Sequence, residues 1–93
     1  MKLFKSVDEK FQEIGFKKVS ENEYGVEYNR VISEYNYTQV IYIGYKISGR
    51  HLIQSYEKSV NSDNYNNGVG ITAYEAKLCI RKMREKGWRI HKK

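Results

Sequence analysis

Apolar positions along the chain fall into two stretches with helical spacing, and between them lies a long region of two-residue alternation. Val7, Phe11 and Ile14 recur at i, i+4 and i+7, one stripe of a helix. Ser6-Val7-Asp8-Glu9 has the form of a capping box, the serine hydroxyl meeting an orphan N–H while the glutamate reaches back. Gly15 can take the left-handed conformation that ends a helix, and Phe16 follows as the hydrophobic contact beyond the cap. The spacing predicts a helix over residues 7–14. Thr72-Ala73-Tyr74-Glu75 is a second capping box. In the helix it opens, Ala73, Ala76, Cys79, Ile80 and Met83 share one face, while Lys77, Arg81 and Arg84 sit on another. Gly87-Trp88 closes it as Gly15-Phe16 closes the first.

The middle reads as β-structure. Phe16 to Val19 is a short strand candidate, followed by a polar turn, Ser20 to Glu23. Tyr24, Val26 and Tyr28 alternate with Gly25, Glu27 and Asn29, the pattern of a half-buried strand. Tyr37 to Ile47 is apolar on both faces, which places it centrally in a sheet. Ser48-Gly49 offers a turn, and Arg50 to Tyr56 returns as the partner strand. Ser59 to Gly70, rich in Asn, Ser, Asp and Gly, reads as loop. The order is α-β-β-β-β-α: an α+β two-layer sandwich, an antiparallel meander of three or four strands with N- and C-terminal helices on one face. The other face is expected to be partly open and to carry tyrosines. Phe11, Ile14, Ile41, Ile43, Ile80 and Met83 are the predicted core.

Length and composition narrow this further. Ninety-three residues suit one domain, 1–93, with 88–93 as a basic tail that frays. Nine Tyr, three Phe and one Trp argue against disorder although apolar residues make up only 40%. Cys79 is the one cysteine, so no internal disulfide forms and a reducing, cytoplasmic setting is expected. The opening residues lack the apolar run of a signal peptide, and no run has the length of a membrane span.

Charge position changes the picture more than charge itself. Of the net +6, residues 77–93 contribute +7, from eight basic side chains and Glu85, and residues 1–76 contribute −1. Such a cluster attracts polyanions. It points to sequence-tolerant nucleic-acid contact through Lys77, Arg81, Lys82, Arg84, Lys86 and Arg89, or to docking of the same face on an acidic partner protein. A solvated helix end, where Lys and Arg are favoured anyway, accounts for the same residues without a partner.

Other chemistry finds less support. His51, His91 and Cys79 show no metal-ligand spacing, so no metal and no cofactor is expected. His51 fits a packing or hydrogen-bonding role, and Cys79, on the apolar helix face, fits a buried inert thiol better than a nucleophile with His51 as its base. Asn66 to Thr72 runs glycine-rich into a helix start, a geometry that suits a phosphate, but it has neither the lysine nor the spacing of a P-loop. Tyrosines on an open sheet face can stack bases, though tyrosine is also simply a favoured strand residue. With no acid–base pair or partnered nucleophile, a non-enzymatic binding protein is expected.

Lys5 to Lys10, the Ile14-Gly15-Phe16-Lys17-Lys18 exit, Glu23 to Val26, His51 to Tyr56 and the closing Ile71-to-Trp88 helix together resemble small uncharacterised proteins encoded by phages and prophages of low-GC Gram-positive bacteria. The resemblance implies a phage or prophage accessory role and supplies no catalytic residue. The element order is also similar to the double-stranded-RNA-binding domain, from which this chain departs by an extra strand and by carrying its basic residues late in the last helix.

Overall fold

The computed structural model describes residues 5–59 and 65–90, without the side chains of Tyr65 and Asn67. The elements are α1 (Val7–Glu13), β1 (Lys17–Asn22), β2 (Gly25–Ile32), β3 (Tyr37–Gly44), β4 (Leu52–Ser59), β5 (Tyr65–Asn67) and α2 (Ala73–Glu85), with a 3-10 turn at Ser33–Tyr35. The strands form one antiparallel sheet in the order β1-β2-β3-β4-β5. This is the expected α+β meander between two helices, with β5 added inside the segment read as loop. Asn is depleted in strands, so nothing in Tyr65-Asn66-Asn67 announces one; the three residues are strand because the outer edge of β4 takes them as a ladder.

Both helices start and stop by the expected devices. Glu9 N–H donates to Ser6 Oγ at 3.1 Å and Ser6 N–H to Glu9 Oε1 at 3.4 Å. Thr72 and Glu75 make the same reciprocal pair, each bond 3.0 Å. Gly15 (φ 95°) and Gly87 (φ 75°) turn the chain out of each helix. The N–H groups of Phe16 and Trp88 then return to the carbonyls of Phe11 and Met83, each at 2.9 Å. That closure drives both aromatic side chains into the core. The basic tail expected from residue 88 therefore begins with an anchored, buried Trp88; His91 to Lys93 lie outside the described residues.

β3 is the third of five strands and is buried on both faces, as its unbroken apolar run requires. Toward the helices, Ile41 and Ile43 pair in register with Tyr28 and Val26, and all four are fully buried. Phe11 stacks on Tyr28 with centroids 4.0 Å apart. On the opposite face Val40 is buried, and the Tyr42 ring lies so close over Gly25 and Gly44 that a Cβ at either would run into it. The first hairpin turns at Glu23-Tyr24, later than the sequence suggested, with Asn22 Oδ1 accepting from the N–H of Tyr24 and Gly25.

Several side chains sit elsewhere than the sequence placed them. Ile14 and Ile80 are only partly buried. α2 is rotated so that Glu75, Leu78, Cys79, Lys82 and Met83 face inward. The tyrosines disperse: Tyr28 is core, Tyr45 packs on Trp88, Tyr24 and Tyr35 are exposed off the sheet face, and Tyr42 and Tyr56 belong to the open face. Leu78→Ala should therefore cost about 2–5 kcal/mol in a urea unfolding titration. Ile80→Ala should cost clearly less; the reverse ranking would show the rotation of α2 to be wrong.

Candidate functional site

Lys82, one of the six predicted contact residues, is 2% exposed. A buried ammonium is tolerated only where opposite charge surrounds it. Its Nζ lies 3.1 Å from Asp8 Oδ1, 3.2 Å from Glu85 Oε1 and 3.3 Å from Glu21 Oε1. Lys18 joins the same carboxylates, 2.8 Å from Asp8 Oδ2 and 2.7 Å from Glu21 Oε1, and Lys86 reaches Glu21 Oε2 at 3.1 Å. Tyr28, at the centre of the core, donates its hydroxyl to Asp8 Oδ1 at 2.6 Å. Three lysines and three carboxylates thus neutralise one another where α1, α2 and β1 meet.

A local irregularity makes this meeting possible. Residues three apart in a regular strand point to opposite faces. The register of β1 slips between Lys18 and Ser20, leaving Val19 as a bulge, so Lys18 and Glu21 both face α2.

The titrations follow from the geometry. Burial pushes the Asp8 carboxyl up, but hydrogen bonds from Lys18, Tyr28 and Lys82 outweigh it and hold the group at about 2, against an ordinary 3.8. Lys18 above all holds Glu21 at about 2, against 4.5, with Lys86 and Lys82 assisting against burial. Burial pulls Lys82 down, and Asp8 and Glu85 more than restore it, so its pKa is raised.

The remaining predicted contact residues stay outside this network. Lys77, Arg81, Arg84 and Arg89 are exposed, and none of them enters an ion pair among the described residues. Lys77, Arg81 and Arg84 stand at i, i+4 and i+7 along one face of α2. The helix's own acids are turned away: Glu85 to Lys82, and Glu75, 4% exposed, to its capping box and to Arg30 at 3.8 Å. Beside the three cations lie two adjoining shallow concavities of about 450 and 490 Å³ that share Ile80 and Arg84, the second running on to Trp88 and Ile90. The six-residue contact set thus divides. Lys82 and Lys86 are bound into the fold, Lys77, Arg81 and Arg84 border a partly apolar surface, and Arg89 is exposed beyond the end of the helix.

The other candidates resolve plainly. His51 Nδ1 accepts from Lys46 N–H at 3.0 Å and its Nε2 lies 2.7 Å from Arg89 O, so both ring nitrogens are engaged and neither serves Cys79. The ring also packs against Tyr45 and Trp88. Cys79 is fully buried and burial pushes its thiol up to about 12, far from a nucleophile's range. At the start of α2 the Glu75 carboxylate already accepts from Thr72 N–H, which takes up a donor that an anion in the Gly68-to-Gly70 segment would use. Among the described residues no group of three His, Cys, Asp or Glu is placed to hold a metal ion, and no helix is long and apolar enough to cross a membrane.

No protein-family model, no curated protein and no solved structure matches this chain. The surface of α2 must be interpreted from its own chemistry.

Asp8 and Glu21 titrate lower in the folded than in the unfolded chain, so the unfolded chain binds protons first as pH falls. The stabilisation from these carboxylates is whole above the unfolded values of 3.8 and 4.5, declines as pH drops toward 2, and is gone below that. Asp8→Asn should lower stability at pH 7 and flatten the acid loss across this window. Denaturation midpoints that run parallel to wild type from pH 6 to 2 would exclude the network as its source.

Proposed function

We propose that the chain is a non-enzymatic binding module whose α2 surface docks on an acidic region of a partner protein. One observation carries this reading: Lys77, Arg81 and Arg84 stand around Ile80 with no ion-pair partner among the described residues, while the acids of their own helix are engaged elsewhere. Unpaired surface cations beside half-buried apolar groups suit an interface with a polar rim and an apolar centre. Trp88 and Ile90 extend the apolar part toward the end of the helix. A nucleic-acid surface draws its affinity chiefly from phosphate neutralisation. With Lys82 and Lys86 withdrawn into ion pairs, four cations of the predicted six remain for that purpose.

Nucleic-acid contact is kept as the second reading because the regular line of Lys77, Arg81 and Arg84 also suits a phosphate backbone. The phage-protein resemblance is compatible with either role and supplies no residue to the choice.

A photo-crosslinker at position 80, in extract of the source cell, tests the two readings together with duplex DNA and RNA titrations. The expected result is a nuclease-resistant protein adduct, weakened about tenfold or more by R81E/R84E, since each factor of ten is only about 1.4 kcal/mol. Nucleic-acid affinity should be negligible at physiological salt. Binding that falls with a log–log salt slope of about −3.6 for four phosphate contacts would replace this reading by the second. Neither an adduct nor nucleic-acid binding would reject both.

A further inference from the structure

The two edges of the sheet are treated differently. On β1, Lys17 and the Val19 bulge guard the outer edge, the usual defences against an added strand. At the other side β5 covers only Tyr56, Glu57 and Lys58 of the eight residues in β4. One further bond, Val69 N–H to Ser55 O at 3.1 Å, ends the ladder. Gly68, with φ 72°, stands between as an extra residue, and this bulge turns the chain off toward α2. Ser55 sends its carbonyl outward, so alternation sends the N–H and C=O of Ile53 to the same side. No described strand pairs with them there. Leu52-Ile53-Gln54-Ser55 carries no charge, no proline and no bulge.

The gap left by the departing chain is a cleft of about 720 Å³ between Ile53-to-Tyr56 and Gly68-to-Ile71. Ile53 and Ser55 belong to one face of the sheet and Gln54 and Tyr56 to the other, so the cleft lies at the strand's edge. Gly68 and Gly70 have open space where a Cβ would stand, and the buried Ser55 Oγ has no hydrogen-bond partner among the described residues.

We propose that this cleft takes an extended, largely uncharged segment of a partner polypeptide, laid beside β4 as a further strand. The occupant is named by the groups that no described residue pairs: an outward backbone donor and acceptor call for another backbone, and an edge without charge calls for uncharged side chains. A second copy of the chain fits poorly. A two-fold β4–β4 pair needs the edge beyond Ser55, which Val69 and β5 already occupy. The site is separate from the cations of α2 and does not depend on the function proposed for them.

The test uses the whole protein, labelled with nitrogen-15, and two uncharged decapeptides of alternating Val and Thr, one plain and one N-methylated at every second residue. At about 1 mM, the plain peptide should shift the Ile53 amide and protect it from exchange. The N-methylated peptide, with the same side chains but fewer donors, should bind at least about tenfold more weakly. Gly70→Val, which fills the cleft without touching the core, should abolish the effect, and R81E/R84E should leave it unchanged. Equal binding of both peptides, shifts confined to Lys17–Asn22, or no shift at all would overturn the proposal. So would the same shifts arising with protein concentration alone, which would make a second copy the occupant.

Discussion

The Lys82 ammonium is buried between two helices and a strand, and the arrangement around it follows from the need to keep that charge compensated. Asp8 must come from the first turn of α1, which fixes how α1 lies on the sheet. Glu21 must come from β1, and it reaches Lys82 only because the bulge at Val19 brings it to the same face as Lys18. Tyr28 then finds in Asp8 an acceptor for a hydroxyl that would otherwise end unsatisfied beneath the helices. Removing one partner from such a cluster leaves a buried charge uncompensated, which is why the groups behave as a unit.

A second polar tie works at the α1 exit. Arg30 donates to Ile14 O at 2.9 Å and to Gln39 Oε1 at 2.6 Å, lies over the Phe16 ring and approaches Glu75 at the start of α2. Both helices are therefore held to the sheet by charged side chains as well as by the apolar layer of Phe11, Tyr28, Ile41, Leu78 and Met83. The fold sorts its lysines and arginines accordingly, spending some of them on its own closure and leaving others outward on α2.

How much of this was legible in the sequence depends on the range of the interaction. The capping boxes at Ser6 and Thr72, the glycine exits and the central place of β3 rest on neighbours a few residues apart, and all were readable. The burial of Lys82 rests on Asp8, 74 positions away, and on a bulge with no sequence mark. A signal did exist in α2: Glu75, Leu78, Cys79, Lys82, Met83 and Lys86 follow one 3–4 spacing. The apolar residues taken alone group Ala73, Ala76, Cys79, Ile80 and Met83, whereas the buried face carries Leu78 together with the charged Glu75 and Lys82. β5 was invisible for a different reason, since its pairing is dictated by the edge it covers.

Because each strand of the meander pairs with its neighbour in the chain, the sheet can assemble from hairpins that close short loops. The contact between α1 and α2 is different, for it joins the two ends of the described chain through Asp8 and Lys82. Contacts of long sequence separation bear the largest loop-closure entropy and tend to form after local ones. On that ordering the lysine–carboxylate cluster is a clasp that shuts on a sheet already in place. In kinetic terms its contribution belongs mainly to the rate at which the finished molecule opens rather than to the rate at which it forms.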